Sequence, residues 1–367
     1  MIGIYSIIQN KRTSALSIGF VFLVFFFIIF CNLENDVLNK VFNLNEISNI
    51  GSFPEGSLAK FLVQATFRFS LIILPMITLT IVEVINNIIG GTSPFSNTSI
   101  GRISFSKGYK YADLWFWSFG MLTALLRYKF TFFLVFFTLG TSRLSVGVEE
   151  WFNSLYVSAL PSTSSSQFVA ILIILIAILL TDLSFFIDHY LSHYVPFLWD
   201  LHEIHHSPTE MTIFSASRGT DLIASFTKFF TVPFSILSGL LLNQYLTQGF
   251  IIPVLIYIFF GTLRYIFEMV GHSSYQLIYP KPISYIFMSP SLHWIHHSSN
   301  PKHYNKNIGG FITLWDRIFG TYLDETHIKD ISGYGVKDTQ YNKFHPIYAA
   351  TILPLVKLSK RIKYLIT

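Results

Sequence analysis

Residues 181–207 read TDLSFFIDHYLSHYVPFLWDLHEIHHS and hold five of the chain's twelve histidines. His189 and His193 are four apart, so on a helix both rings leave the same face one turn apart. His202, His205 and His206 follow at i, i+3 and i+4. Pro196 lies between the two groups and is expected to separate the helices that carry them, because it cannot continue a helix from the preceding residue. Further on, Ser291-Leu292-His293-Trp294-Ile295-His296-His297 repeats the i, i+3, i+4 spacing, and His272 stands between the boxes.

Imidazole is the commonest metal-ligating side chain and binds as the neutral base. A single histidine on an apolar helix is ordinarily a satisfied core residue. Nine at repeated helical spacing need another account, since each ring brings two nitrogens that packing alone does not satisfy. One zinc-like ion takes about four ligands, so His189, His193, His202, His205, His206, His272, His293, His296 and His297 read as ligands of two neighbouring ions and as the catalytic residues. An all-imidazole set suits iron, zinc or copper alike. The paired E-x-x-H of soluble di-iron bundles is missing from the sequence.

The boxes H-x3-H, H-x2-H-H and H-x2-H-H resemble those of the fatty acid hydroxylase/sterol desaturase superfamily of membrane-bound di-iron oxygenases. The likeness extends to Asp182, Phe186 and His189, to Pro196-Phe197-Leu198-Trp199, and to Asn300-Pro301 through Asn307-Ile308-Gly309-Gly310. It closes on Leu314-Trp315-Asp316-Arg317-Ile318-Phe319-Gly320-Thr321-Tyr322, so it runs over residues 168–324. Tyr190, Thr220 and Asn305 depart from the family's usual Arg or Lys, His and Asp. The resemblance implies two iron ions, O2 as co-substrate and hydrogen abstraction from an unactivated C–H bond. Hydroxylation, desaturation or ether-lipid cleavage can follow, on an acyl chain, a sterol or a related lipid. Electrons must come from a separate partner of reductase, ferredoxin or cytochrome b5 type. The chain has no dinucleotide fingerprint, and His345-Pro346-Ile347-Tyr348 lacks the glycines of a haem-binding H-P-G-G.

Composition points the same way. A chain that is 51% hydrophobic, 17% aromatic and 12% charged is not balanced for water. The net charge of +5 forms no basic stripe, and no nucleic-acid partner is expected. The lone Cys31 excludes an intramolecular disulfide and a cysteine-based metal site. Spans are expected over residues 15–33, 69–89 and 168–187, with an apolar hairpin over 222–242 and 250–270 interrupted at Pro233 and Pro253. Residues 112–141 either cross once, with Arg127 and Lys129 snorkelling or facing the bundle, or form two shorter pieces bending at the interface. Glu83, within the second span, requires a polar neighbour or a place near the interface. Residues 281–367 carry eleven Lys/Arg against five Asp/Glu, as a cytosolic segment should. The expectation is an all-α, polytopic integral membrane protein with the histidine-rich di-metal site on the cytosolic face. It divides into an N-terminal transmembrane region (1–167), a catalytic domain (168–324) and a cytosolic C-terminal tail (325–367). Residues 355–366 form an amphipathic helix in this reading, either on an anionic membrane surface or in water.

Two rival readings exist. His202-Glu203-Ile204-His205-His206 satisfies the H-E-x-x-H of zinc proteases, with Glu203 as general base, but it leaves six histidines unused. A metal transporter would string its acidic and histidine residues along a path through the membrane, whereas these boxes gather at one face. Asp182, Asp188, Asp200 and Glu203 are candidates to accept ring N–H groups and fix tautomers. His303, His327 and His345 fall outside the boxes.

Overall fold

The computed structural model describes residues 76–119 (except 106 and 110), 167–219, 230, 231, 234, 238 and 251–366. The expected span at 15–33, most of 112–141 and nearly all of 222–242 lie outside the described residues. The described chain is mostly helical, and its strand pairing is limited to two isolated bridges, Phe287 with Ile312 and Ser298 with Tyr334.

The helices are α1 (Met76–Ile89), α2 (112–119), α3 (Gln167–Tyr194), α4 (Pro196–His202) and α5 (Ile251–Gly271). They continue as α6 (Pro290–His296), α7 (Leu314–Ile318), α8 (Pro346–Thr351) and α9 (Leu353–Ile366). α3 runs unbroken for 28 residues, about 42 Å at 1.5 Å per residue. It and α5 are long and apolar enough to cross a membrane. The burial of α3 is inverted relative to a helix in water: Phe168 and Ile176 are 66% and 55% exposed, while Asp182 is 3% exposed. Such a pattern suits an apolar solvent outside and polar partners within.

α3 ends where Pro196 takes the first position of α4, with Val195 extended as its N-cap. Proline's missing N–H is no loss there, and the separation of the first two boxes follows the expectation. Pro253 does not interrupt α5. The helix is continuous over Ile251–Gly271.

Three apolar contacts position the boxes. α3 packs on α5 through Ala170, Ile174 and Val254. α1 joins α5 through Met76, Leu79, Ile266, Met269 and Val270. Ile204, in the second box, packs with Ala112 and Phe116 of α2, Tyr341 of the 3₁₀ turn Gln340–Asn342, Ala349 of α8 and Leu353 of α9. Glu83 has the polar company that its place in an apolar helix demands: it accepts from Ser99 N (2.7 Å), Ser99 Oγ (2.6 Å) and Ser274 N (2.9 Å). That network ties α1 to the chain just beyond His272. Arg218, 1% exposed, pairs with Asp113 and donates to Ser207 Oγ and Asn342 Oδ1.

Candidate metal centre

The nine histidines converge in two adjoining clusters. His189, His193, His202, His206 and His296 form one; His205, His272, His293 and His297 form the other, and within each the donor atoms lie within 4.8 Å of one another. Each H-x2-H-H box is shared between the two. In the second box the i and i+4 rings (His202, His206) enter the first cluster and His205 enters the second. In the third box His293 and His297 enter the second cluster and His296 the first. His206 and His297 stack across the boundary with ring centroids 4.4 Å apart.

Local structure explains the division. His189 and His193 lie in the last turns of α3, and His272 follows the end of α5. His202 ends α4, and His205 and His206 sit in the turn at 203–206, not on a continuing helix as the spacing alone implies. His293 and His296 lie on α6, and His297 caps it. Gly271 is needed for the approach, since a Cβ there would sit 3.1 Å from His293 Cδ2.

Three rings have tautomers set by their surroundings. The Nδ1–H of His189 donates to the Ile308 carbonyl (2.6 Å) and that of His296 to the Lys306 carbonyl (2.9 Å). Ser215 spends its hydroxyl proton on the Thr212 carbonyl (2.7 Å) and so accepts from His272 Nδ1 (3.2 Å). Each ring therefore presents a bare Nε2 lone pair inward. These Nε2 atoms meet others of their kind: His189 to His202 at 3.0 Å, His202 to His206 at 3.2 Å, His189 to His193 at 3.3 Å, His272 to His293 at 3.0 Å and His293 to His297 at 3.1 Å. His296 Nε2 is buried with no protein partner. Each of these contacts includes at most one ring whose tautomer is set; as ligands, the remaining rings would turn Nε2 lone pairs to the same points, where a cation would receive them. Two late first-row ions, ligated by five and four imidazoles, fit the donor set.

The segment supplying two of the anchoring carbonyls is built by side chains from the close of the motif. Asp316 accepts from Ile308 N (2.7 Å), Gly309 N (2.9 Å) and Thr321 Oγ1 (2.6 Å). Asn307 Nδ2 donates to the Leu292 and Leu323 carbonyls. A Cβ on Gly309 would lie 2.6 Å from Asp316 Oδ2, and one on Gly310 2.5 Å from Phe185. The two glycines are therefore space requirements of the site.

The four carboxylates singled out from sequence do other work. Asp182 accepts from Trp315 Nε1 (2.9 Å), and Asp188 accepts from Phe230 N, Thr231 N and Thr231 Oγ1. Asp200 and Glu203 are bound by α9: Arg361 donates to Asp200, and Lys357 and Thr339 Oγ1 donate to Glu203. Ring orientation falls instead to backbone carbonyls and Ser215, for which the sequence carried no periodic signal. His345 packs edge-on to Tyr109 and Trp115.

Burial, then the neighbouring rings, holds His202, His206, His293 and His297 well below the ordinary histidine range. His296 falls to about 3, by burial against the opposing bond to the Lys306 carbonyl. Neutral rings are the ligating form. In metal-free protein the unfolded chain takes up protons near pH 6.5 and the folded chain only lower, so stability is expected to be level above pH 6.5 and to fall on acidification towards pH 3. Thermal melts of metal-stripped protein across that range check this; a midpoint that rises on acidification contradicts it.

Two cavities reach the clusters. One, of about 210 Å³, has Phe185, Leu198, Phe267 and Met288 in its walls and touches His189, His202, His205, His272 and His293. The other, of about 380 Å³, has Trp199, Tyr304, Asn305 and Arg361 in its walls and touches His193, His206, His296 and His297. Between them they touch all nine rings and share none.

Fold and site together define a helical protein with two adjoining all-histidine clusters that could hold metal, at the ends of two apolar helices. Residues 174–321 match the fatty acid hydroxylase family, which supports the superfamily resemblance carried by the histidine boxes. It is similar to an alkylglycerol monooxygenase of Caenorhabditis elegans, 32% identical over 167 residues, which are 46% of this chain and 30% of that protein. It is similar to the Homo sapiens alkylglycerol monooxygenase, at 26% over 149 residues (41% and 30%). The ornithine lipid hydroxylase OlsE of Rhizobium tropici is 25% identical over 149 residues, 41% of each chain. The chain thus spans under a third of the length of these monooxygenases. No solved structure matches it.

Proposed function

We propose that this chain is an integral-membrane, multi-pass di-iron oxygenase that oxidises a lipid with O2 and electrons from a separate reductase, ferredoxin or cytochrome b5-type donor. The observation carrying the reading is the pair of histidine clusters with anchored Nδ1 atoms and inward Nε2 lone pairs. The nine histidines are the ligands in this reading, all from the proposed catalytic domain 168–324, with 325–367 bracing it and 1–167 anchoring it. Two irons held there would supply O2 activation and C–H oxidation. The protein's own residues orient the ligands through Ile308, Lys306 and Ser215, and the apolar wall of Phe185, Leu198, Phe267 and Met288 receives a lipid chain and excludes water. The second cavity, with Tyr304, Asn305 and Arg361 in its walls, is a second approach to the same centre. Relatives named as lipid monooxygenase and lipid hydroxylase favour hydroxylation over desaturation. The ends of α3 and α5 carry His189, His193 and the approach to His272, which supports a centre at the membrane edge; the cytosolic face follows from the charge of 281–367.

The protease alternative loses its base. Glu203 is 7% exposed and carries Lys357 on one oxygen and Thr339 on the other, so it is engaged in an ion pair and not presented as a free base. The expected result is that purified protein contains two irons per chain, consumes O2 only with lipid and reductant, and loses less of that activity in Glu203→Gln than in His202→Ala. A single zinc, or peptide cleavage without O2 that Glu203→Gln abolishes, would overturn the proposal.

A further inference from the structure

We propose that His303, His327 and Asp330 form a third metal site, apart from the nine-histidine centre, for one divalent ion of the zinc type. His303 ends a 3₁₀ turn at Pro301–His303, and His327 and Asp330 share a second at Glu325–Asp330. The three donor atoms lie within 4.8 Å of one another. His303 is 0% exposed, and both of its ring nitrogens are buried without a hydrogen-bond partner. A neutral imidazole left so forfeits a donor and an acceptor at about 1–3 kcal/mol each. A ligated ion would recover part of that cost.

Two imidazoles and one carboxylate, with a water completing four positions, are a common zinc donor set. His327 Nδ1 and Asp330 Oδ2 are already 3.1 Å apart, close to the roughly 3.3 Å that bonds of about 2.0–2.2 Å place between tetrahedral ligands. Their side chains are 43% and 42% exposed, so an ion enters from solvent onto a buried third ligand. The two turns are also held in register independently, since Asn300 Nδ2 donates to the Asp330 carbonyl (2.9 Å).

The location gives the site a role. His303 precedes the Lys306 and Ile308 carbonyls that orient His296 and His189, and Lys306 N donates to the His303 carbonyl (3.2 Å). An ion here staples that segment to the turn at Glu325–Asp330, whose Glu325 receives Ser289 Oγ at the start of α6. It acts as a structural clip for the loop that sets two ligand tautomers.

The test uses the whole chain in detergent, stripped of metal and dialysed against about 1 µM free zinc. His327→Ala and Asp330→Asn alter exposed side chains, and each is expected to bind one zinc fewer than the unaltered chain. The count is a difference, so it stands whatever the nine histidines hold. Zinc should also raise the melting midpoint less in both variants. An unchanged zinc count in both variants overturns the proposal, as does loss of the entire zinc complement in both.

Discussion

Replacing His293 by alanine is expected to remove lipid oxidation to background and at least one of two bound metals per chain. His293 is the hub of the four-ring cluster, its Nε2 3.0 Å from that of His272 and 3.1 Å from that of His297. Binding of structural zinc releases about 10–16 kcal/mol over some four ligands, so one ligand is worth about 2.5–4 kcal/mol, or roughly a hundredfold to a thousandfold in affinity. Losing a ring that served only packing would act differently. It would destabilise metal-free and metal-loaded protein alike, whereas removing a lone pair from a crowded centre should spare the metal-free form. Metal content by elemental analysis, together with melts of both forms, separates the two. A His293→Ala protein with full metal and activity would exclude the ligand role.

Asp316→Ala is expected to damage the same centre from 8 residues beyond Ile308, without touching a histidine. Its buried carboxylate, raised in pKa by burial against the bonds from Thr321, Gly309 and Ile308, satisfies three donors. Alanine would leave them unpaired at about 1–3 kcal/mol each and free the Ile308 carbonyl that fixes His189. Loss of an outer partner of this kind typically costs about 10–100-fold in metal affinity or activity. Asp316→Asn, able to accept on one oxygen only, should fall between. Metal titration and initial rates of O2 uptake check the order. Equal affinity in all three proteins would show that the loop keeps its shape unaided.

How far the site was legible depends on how local its causes are. The boxes were readable because helical spacing puts i and i+4 rings together, and Pro196 ends α3 by a rule that operates within a turn. The division of each box between two clusters was not, because it depends on the chain turning at 203–206 and on α6 ending at His297. Glu203 reads as a general base in its pentapeptide, and only the arrival of Lys357, 154 residues on, engages it in an ion pair. Asp182 shares a face with His189 by spacing, yet Trp315 from α7 takes its oxygen. Glu83 was legible in outline, since a carboxylate in an apolar helix must find donors; that they come from Ser99 and Ser274 is tertiary. His303 was set aside as lying outside the boxes, and its two unpartnered nitrogens are a property of the packed chain alone.

The contacts from α9 to the second box bear on how such proteins can be recombined. Lys357 and Arg361 neutralise Glu203 and Asp200, both under 10% exposed, from beyond the stretch that matches the family, 174–321. A chimaera exchanging only that stretch would carry two buried anions into a host that supplies no cations to meet them, beside His202 and His206. A buried anion that loses its cation is destabilising. The smallest interchangeable module therefore reaches at least to Arg361, and a crossover placed at residue 321 cuts through it.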